Sequence, residues 1–174
     1  GAGALLDDGS ALVLRGSSLA GNADGLGTPR GAGGAVFVLG GSRLLVNSST
    51  FSANTATDYG GAVAIGLWAG TVNEVDRSLL NISHCAFAAN GARARGGAVH
   101  LVNRAEAHLE HSNFSSNTAQ VGGALFTSAS HVVAIENTLA NNSAPRGFGG
   151  GGALVAESTL DGRLNVFDGN RCDR

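Results

Sequence analysis

The sequence predicts an all-β chain wound as a single-stranded parallel β-helix, a solenoid of about six coils. Three observations predict it. One phrase recurs along the chain: "FSANTATDYGGAVAIG" begins at Phe51 and "FSSNTAQVGGALFTS" at Phe114. Apolar residues alternate with polar ones in short runs, the period of a strand with one buried face. The apolar content is also built from small residues. It reaches 43% with only 5% aromatics and 28 glycines in 174 residues, which suits a thin repetitive structure better than a bulky globule.

The repeats set the frame, because a solenoid period has to be recognised before any motif is interpreted. Six anchors can be aligned at Leu19, Phe51, Phe87, Phe114, Leu139 and Phe167, and they lie 32, 36, 27, 25 and 28 residues apart. A turn of this kind cannot bury its apolar side chains alone and must stack on its neighbours. Turns stacked at the usual strand spacing of about 4.8 Å would bring equivalent residues into columns along the axis. The anchors then form a core ladder. Three residues later, Asn22, Asn54, Asn90, Asn117, Asn142 and Asn170 form a corner ladder, since asparagine accepts turn geometry and bonds amide to amide with copies above and below.

The flanking elements follow the same register. Leu12 and Leu14, Leu44 and Val46, Leu80 and Ile82, and Ala107 and Leu109 stand seven and five residues before their anchors, each pair alternating with polar or variable positions. Glycine-alanine elements place alanines at Ala35, Ala62, Ala98, Ala124 and Ala153, with Ala4 of "GAGALL" as a degraded sixth. Paired glycines there let the backbone bend where a Cβ would clash. Two residues beyond each alanine, Leu6, Phe37, Ala64, His100, Phe126 and Val155 form a column that alternation turns outward. An exposed apolar stripe of that kind would mark a contact with another chain, unless the chain's own loops cover it.

These motifs resemble the polymorphic outer-membrane protein repeats of chlamydiae, which pair Gly-Gly-Ala-(Ile/Leu/Val) with Phe-x-x-Asn. Here they read "GGAV" at Gly33, Gly60 and Gly96, "GGAL" at Gly122 and Gly151, and Phe-x-x-Asn at Phe51, Phe87, Phe114 and Phe167. The resemblance spans almost the whole chain and implies a right-handed parallel β-helix displayed at a cell surface, where the bacterial members look like adhesins and autotransporter passengers. Leu19 and Leu139 depart from the phenylalanine, and "GAGAL" departs from the glycine motif. Similar repeats occur in large secreted algal proteins. An arginine-only basic set, together with the sequons, points toward such a secreted relative.

Four sequons, at Asn47, Asn81, Asn113 and Asn141, are the candidate N-glycosylation sites. None coincides with a ladder asparagine. By alternation the first three point outward and the fourth lies at a corner.

Charge excludes some partners. Charged residues make up 14% of the chain and the net charge is −2, so no basic face for nucleic acid is expected. No apolar run approaches membrane-spanning length.

Catalytic signals are sparse. Pectate-lyase-like enzymes share the β-helix and converge carboxylates or calcium on one face, whereas Glu110, Glu136, Asp161 and Asp168 stand at different offsets and form no aligned pair. His84 and His111 each precede an anchor by three residues, so two stacked imidazoles arise. With Glu110 nearby they suggest a metal pair, but no third ligand lines up, which favours a solvated pair. Cys85 and Cys172 lie three turns apart, too far to bridge, and both read as buried small residues. Cys172 is open to a partner beyond this stretch. Residues 66–79 insert into the third coil and carry Trp68, which either stacks on a sugar or packs beneath its own loop.

The expected protein is therefore a single β-helix segment over residues 1–174, continuing beyond both ends. It would act as an extracellular structural or adhesive rod rather than an enzyme, with N-linked glycans and no other cofactor. Its partners would be flanking domains of the same chain or neighbouring copies, packed end to end or side by side. A polysaccharide-degrading enzyme and a carbohydrate-binding module built on the 66–79 loop are the rival readings.

Overall fold

The computed structural model describes residues 3–24, 31–66, 77–145 and 149–173. Trp68 and most of the 66–79 insertion lie outside the described residues.

The strands are short, three to five residues in nearly every case, because glycine, serine and asparagine break each apolar run. They stack in parallel into three six-stranded sheets that form the faces of the coil. The first face holds Ala4–Leu6, Val36–Val38, Val63–Ile65, Val99–Leu101, Leu125–Ser128 and Ala153–Ala156. The second holds Ala11–Arg15, Arg43–Asn47, Leu79–Ser83, Glu106–Glu110, His131–Ile135 and Thr159–Arg163. The third holds Ser18–Ala20, Thr50–Ser52, Ala86–Ala88, Asn113–Ser115, Thr138–Ala140 and Val166–Asp168. Each strand pairs only with its equivalents one coil away, so the chain is a β-solenoid of about five turns from the first rung to the last.

Each face contributes inward columns to a single core. Leu44, Leu80, Ala107 and Val132 stack from the second face, and Val36, Val63 and Val99 from the first. From the third face Phe51, Phe87 and Phe114 stack in register, with ring centroids 4.6 and 4.9 Å apart and planes 4° and 11° from parallel. Burying each such ring stabilises the fold by about 2–3 kcal/mol. The column continues through Leu139, which is buried, and begins at Leu19, which is half-buried. Phe167 corrects the expectation of six core anchors. It pairs with Leu139 as the spacing predicts, yet it is 56% exposed, since no described rung lies beyond it.

Glycine pairs close the corner before the first face. Gly33 has φ +66°, and a Cβ there would stand 2.3 Å from the Val36 carbonyl oxygen. Its neighbour Gly34 is excluded from bearing a Cβ by the next coil, whose Gly61 oxygen would lie 2.1 Å away. The first glycine thus permits the turn and the second permits the stacking.

The glycine-motif register holds in the four middle rungs and slips by one at both ends. Ala4 pairs with Val36 rather than Ala35, and Ala153 pairs with Leu125 rather than Ala124. The outward column is therefore Leu5, Phe37, Ala64, His100 and Phe126, and Leu154 is the backbone partner of Phe126 in the last rung. A one-residue slip exchanges the two faces of a strand, so Leu6 and Val155 belong to an inward column instead. Leu6 is buried beside Val38, and Val155 follows Thr127 in the last rung at 37% exposure.

Candidate functional site

The six ladder asparagines form one polar column at the corner after the third face. In each step the backbone N–H and the side-chain amide of one asparagine both donate to Oδ1 of the next. Asn54 reaches Asn90 at 3.0 and 2.9 Å, and Asn90 reaches Asn117 at 3.0 Å by both routes. Asn22 begins the series and Asn170 ends it. The second amide hydrogen turns back to the carbonyl of the previous anchor, as from Asn90 to Phe51 at 3.0 Å. Asn54, Asn90, Asn117 and Asn142 are buried, and this pairing satisfies amides that would otherwise be costly to bury.

The offset two residues before each anchor aligns Ser49, Cys85 and Ser112 in the sequence. Sequence reasoning did not show that this offset forms a second hydrogen-bonded column at the corner between the second and third faces. The N–H of Ser17 donates to Ser49 Oγ, that of Cys85 to Ser112 Oγ, that of Ser112 to Asn137 Oδ1, and that of Asn137 to Asn165 Oδ1. The available signal was a short polar side chain two residues before each anchor. Cys85 occupies this column, donates its thiol to the Ser83 carbonyl at 3.1 Å, and is held in the protonated form because burial raises its pKa. Cys172 corrects the expectation of two buried thiols. It is exposed, stacked on Ala144, and both cysteines are free.

The proposed apolar contact stripe is covered by the chain itself at its centre, around His100 and Phe126. His100 and Phe126 are buried, Phe37 is half-buried, and Val155 belongs to a different column, so the two central members present no open surface. The cover comes from the strand-like bridge that runs Ala32, Tyr59, Arg95, Val121 alongside. Tyr59 lies 4.8 Å from the His100 ring, over the gap left by Ala64. Arg95 places its guanidinium 5.2 Å from the Phe126 ring and 5.8 Å from Tyr59. Within this stack both ring nitrogens of His100 lack a hydrogen-bond partner among the described residues. Burial, with the positive charge of Arg95 adding to it, lowers the His100 pKa to about 3 and keeps the imidazole neutral.

The exposed titratable groups lie elsewhere. His84 and His111 stack with ring centroids 4.9 Å apart, and His111 Nδ1 stands 3.1 Å from Glu136 Oε2. No third metal ligand converges on the pair among the described residues, but an acid the sequence reading left unaligned stands beside them. Glu136 shares their offset, three residues before Leu139, and continues the column. Asp58 and Arg93 pair at 2.8 Å, and Arg163 with Asp161 at 3.4 Å, on separate parts of the surface.

The sequon asparagines occupy other columns. Asn47 and Asn113 are exposed at strand ends, and Asn141 is exposed at a left-handed corner with φ 55°. Asn81 is half-buried on the outer side of the second face, opposite Leu45. The Asn47 amide donates to Ser83 Oγ at 2.6 Å, so the hydroxyl of one sequon touches the asparagine of another.

Among the described residues, no helix is long and apolar enough to cross a membrane. No curated protein and no solved structure matched the chain. A family model described as a right-handed β-helix region matches residues 1–144, most of the chain and five of its six anchors. With parallel strands stacked coil on coil and polar ladders at the corners, the chain belongs to the right-handed β-helix family.

Proposed function

We propose that this chain is an extracellular structural or adhesive segment, N-glycosylated at Asn47, Asn81, Asn113 and Asn141, within a larger surface protein or filament. The observation that carries this reading is a division of labour between two sets of asparagines. The six ladder asparagines face one another at the corner, and none begins a sequon. The four that begin sequons stand outside that column, three of them exposed. The likeness of the paired glycine and phenylalanine motifs to chlamydial surface repeats supports the same reading. Right-handed β-helix regions occur in enzymes and non-enzymes alike, so the fold alone chooses no activity.

The test is secretion from a eukaryotic host followed by glycopeptide mass analysis. Glycan on at least the three exposed sequons is expected, with loss of one glycan mass per Asn→Gln replacement. Immobilised protein should retain cells or neighbouring copies. Unglycosylated secreted protein, or release of sugar fragments from pectin-like polymers, would overturn the proposal.

A further inference from the structure

The corner between the second and third faces turns through a left-handed residue in successive rungs. Ser48, His84, His111, Glu136 and Leu164 hold it with φ of 49°, 53°, 46°, 53° and 54°. A shared conformation at a shared offset projects these side chains from one column. Consecutive rungs set their separation at the strand spacing, about 4.8 Å. The middle three carry chemistry. All three are exposed and line one open groove together with Asn113 and Thr138.

We infer that His84 and His111 form a two-histidine site for a borderline divalent metal ion of the Zn²⁺ or Cu²⁺ type, with Glu136 as the carboxylate that orients His111.

Three features of the column support it. Metal–nitrogen bonds of about 2.0–2.1 Å at a near-tetrahedral angle place two ligating imidazoles with centroids roughly 5 Å apart. The rings stand 4.9 Å apart, tilted by 31°. Metal-bound histidines nearly always donate their second ring nitrogen to a carboxylate or carbonyl, which sets the tautomer and raises ligand basicity. His111 Nδ1 already meets Glu136 Oε2 at 3.1 Å, which leaves Nε2 as the coordinating atom. The backbone of both histidines is held by ladder bonds, from His84 N–H to the Glu110 carbonyl and from His111 N–H to the Ile135 carbonyl. Binding then orders side chains only.

The remaining coordination positions fall to solvent or to an external donor. Among the described residues no three His, Cys, Asp or Glu side chains converge on one point, so this is not a closed structural site. Cys85, next in sequence to His84, is no ligand. Its thiol is buried and donates to the Ser83 carbonyl. Imidazole donors with open positions select zinc, copper or nickel over calcium and magnesium.

Isothermal titration of the intact chain with ZnCl₂ and with CaCl₂ tests the assignment. One Zn²⁺ per chain and no Ca²⁺ are expected. His84→Asn and His111→Asn should each weaken Zn²⁺ binding at least about 10-fold, and Glu136→Gln about 10-fold or more. Asparagine is chosen because it accepts the left-handed corner, so unchanged circular dichroism should accompany the loss. His108→Asn and His131→Asn, on the second face, should bind as the parent does. Absence of Zn²⁺ binding at millimolar concentration, or binding that survives in the His84→Asn/His111→Asn double variant, would overturn the site.

Discussion

The imidazole of His100 lies flat against the phenyl ring of Phe126, centroids 5.2 Å apart and planes 9° from parallel, with neither ring nitrogen bonded among the described residues. A polar ring fills an apolar position in the column, and Tyr59 closes the other side. The arrangement makes stability depend on pH. Folding lowers the His100 pKa from 6.5 to about 3, so below pH 6.5 the unfolded chain takes up a proton that the folded chain refuses. Its contribution is complete above pH 6.5 and is lost as pH falls toward 3, by about 1.4 kcal/mol per unit. Urea unfolding of parent and His100→Phe should diverge by about 2–3 kcal/mol more at pH 4.5 than at pH 7. Parallel curves for the two proteins would refute the orphaned neutral ring. At pH 7 the variant should already be more stable, by about 1–3 kcal/mol, because the desolvation of two unbonded nitrogens is removed.

The asparagine column should show a graded response along the axis. Asn90→Ala strips the acceptor from two donors of Asn54 and the donor from the Phe51 carbonyl, all at buried atoms. A cost on the order of 4 kcal/mol is expected in chemical denaturation. Asn22→Ala, at the half-buried first rung, should cost about 1 kcal/mol. Equal costs would mean that the ladder contributes through local turn geometry instead.

Two glycines in neighbouring segments should behave oppositely. A Cβ at Gly61 would lie 2.2 Å from the Gly97 carbonyl oxygen, backbone against backbone, with no flexible atom to yield. Gly91 has ordinary space, its nearest neighbour being the Thr118 oxygen at 3.9 Å. Gly61→Ala should lose more than about 3 kcal/mol or fail to accumulate as soluble protein, while Gly91→Ala should shift stability by less than about 1 kcal/mol.

The aromatic column should tolerate shape change better than loss of volume. Phe87 sits between Phe51 and Phe114 with no exposed surface, and the same column accepts leucine at Leu139. Phe87→Leu is expected to cost about 1–2 kcal/mol and Phe87→Ala about 3–5 kcal/mol, measured as a change in denaturation midpoint at constant slope.

The repeated letters were enough to place the columns of the third face. Leu19, Phe51, Phe87, Phe114, Leu139 and Phe167 pair as their spacing predicts, and the asparagines three residues on follow them. The reason is local. A phenylalanine that must face inward and an asparagine that must turn a corner dictate the same backbone in every coil, whatever lies above. The inward pairs Leu44 and Val46, and Leu80 and Ile82, are legible for the same reason, being strict alternation next to a known anchor.

Other features depend on residues 25 to 36 positions apart meeting across coils, and no local pattern announces them. The run from Gly149 to Gly152 offers more than one alignment with a glycine pair. Stacking selects Gly150 and Gly151 over Gly122 and Gly123, because the second of these must sit Cβ-free against the next backbone. That choice moves Ala153 by one position and exchanges the faces of its strand. His100 read as outward by alternation, and so it is, but Tyr59 and Arg95 arrive from a bridge that periodicity does not reveal and bury it. Glu136 meets His111 because anchor offsets place them in consecutive rungs, while chemical type hides the match between an acid and two imidazoles. Repetition encodes what one coil must do alone, and packing between coils decides which of its side chains meet water.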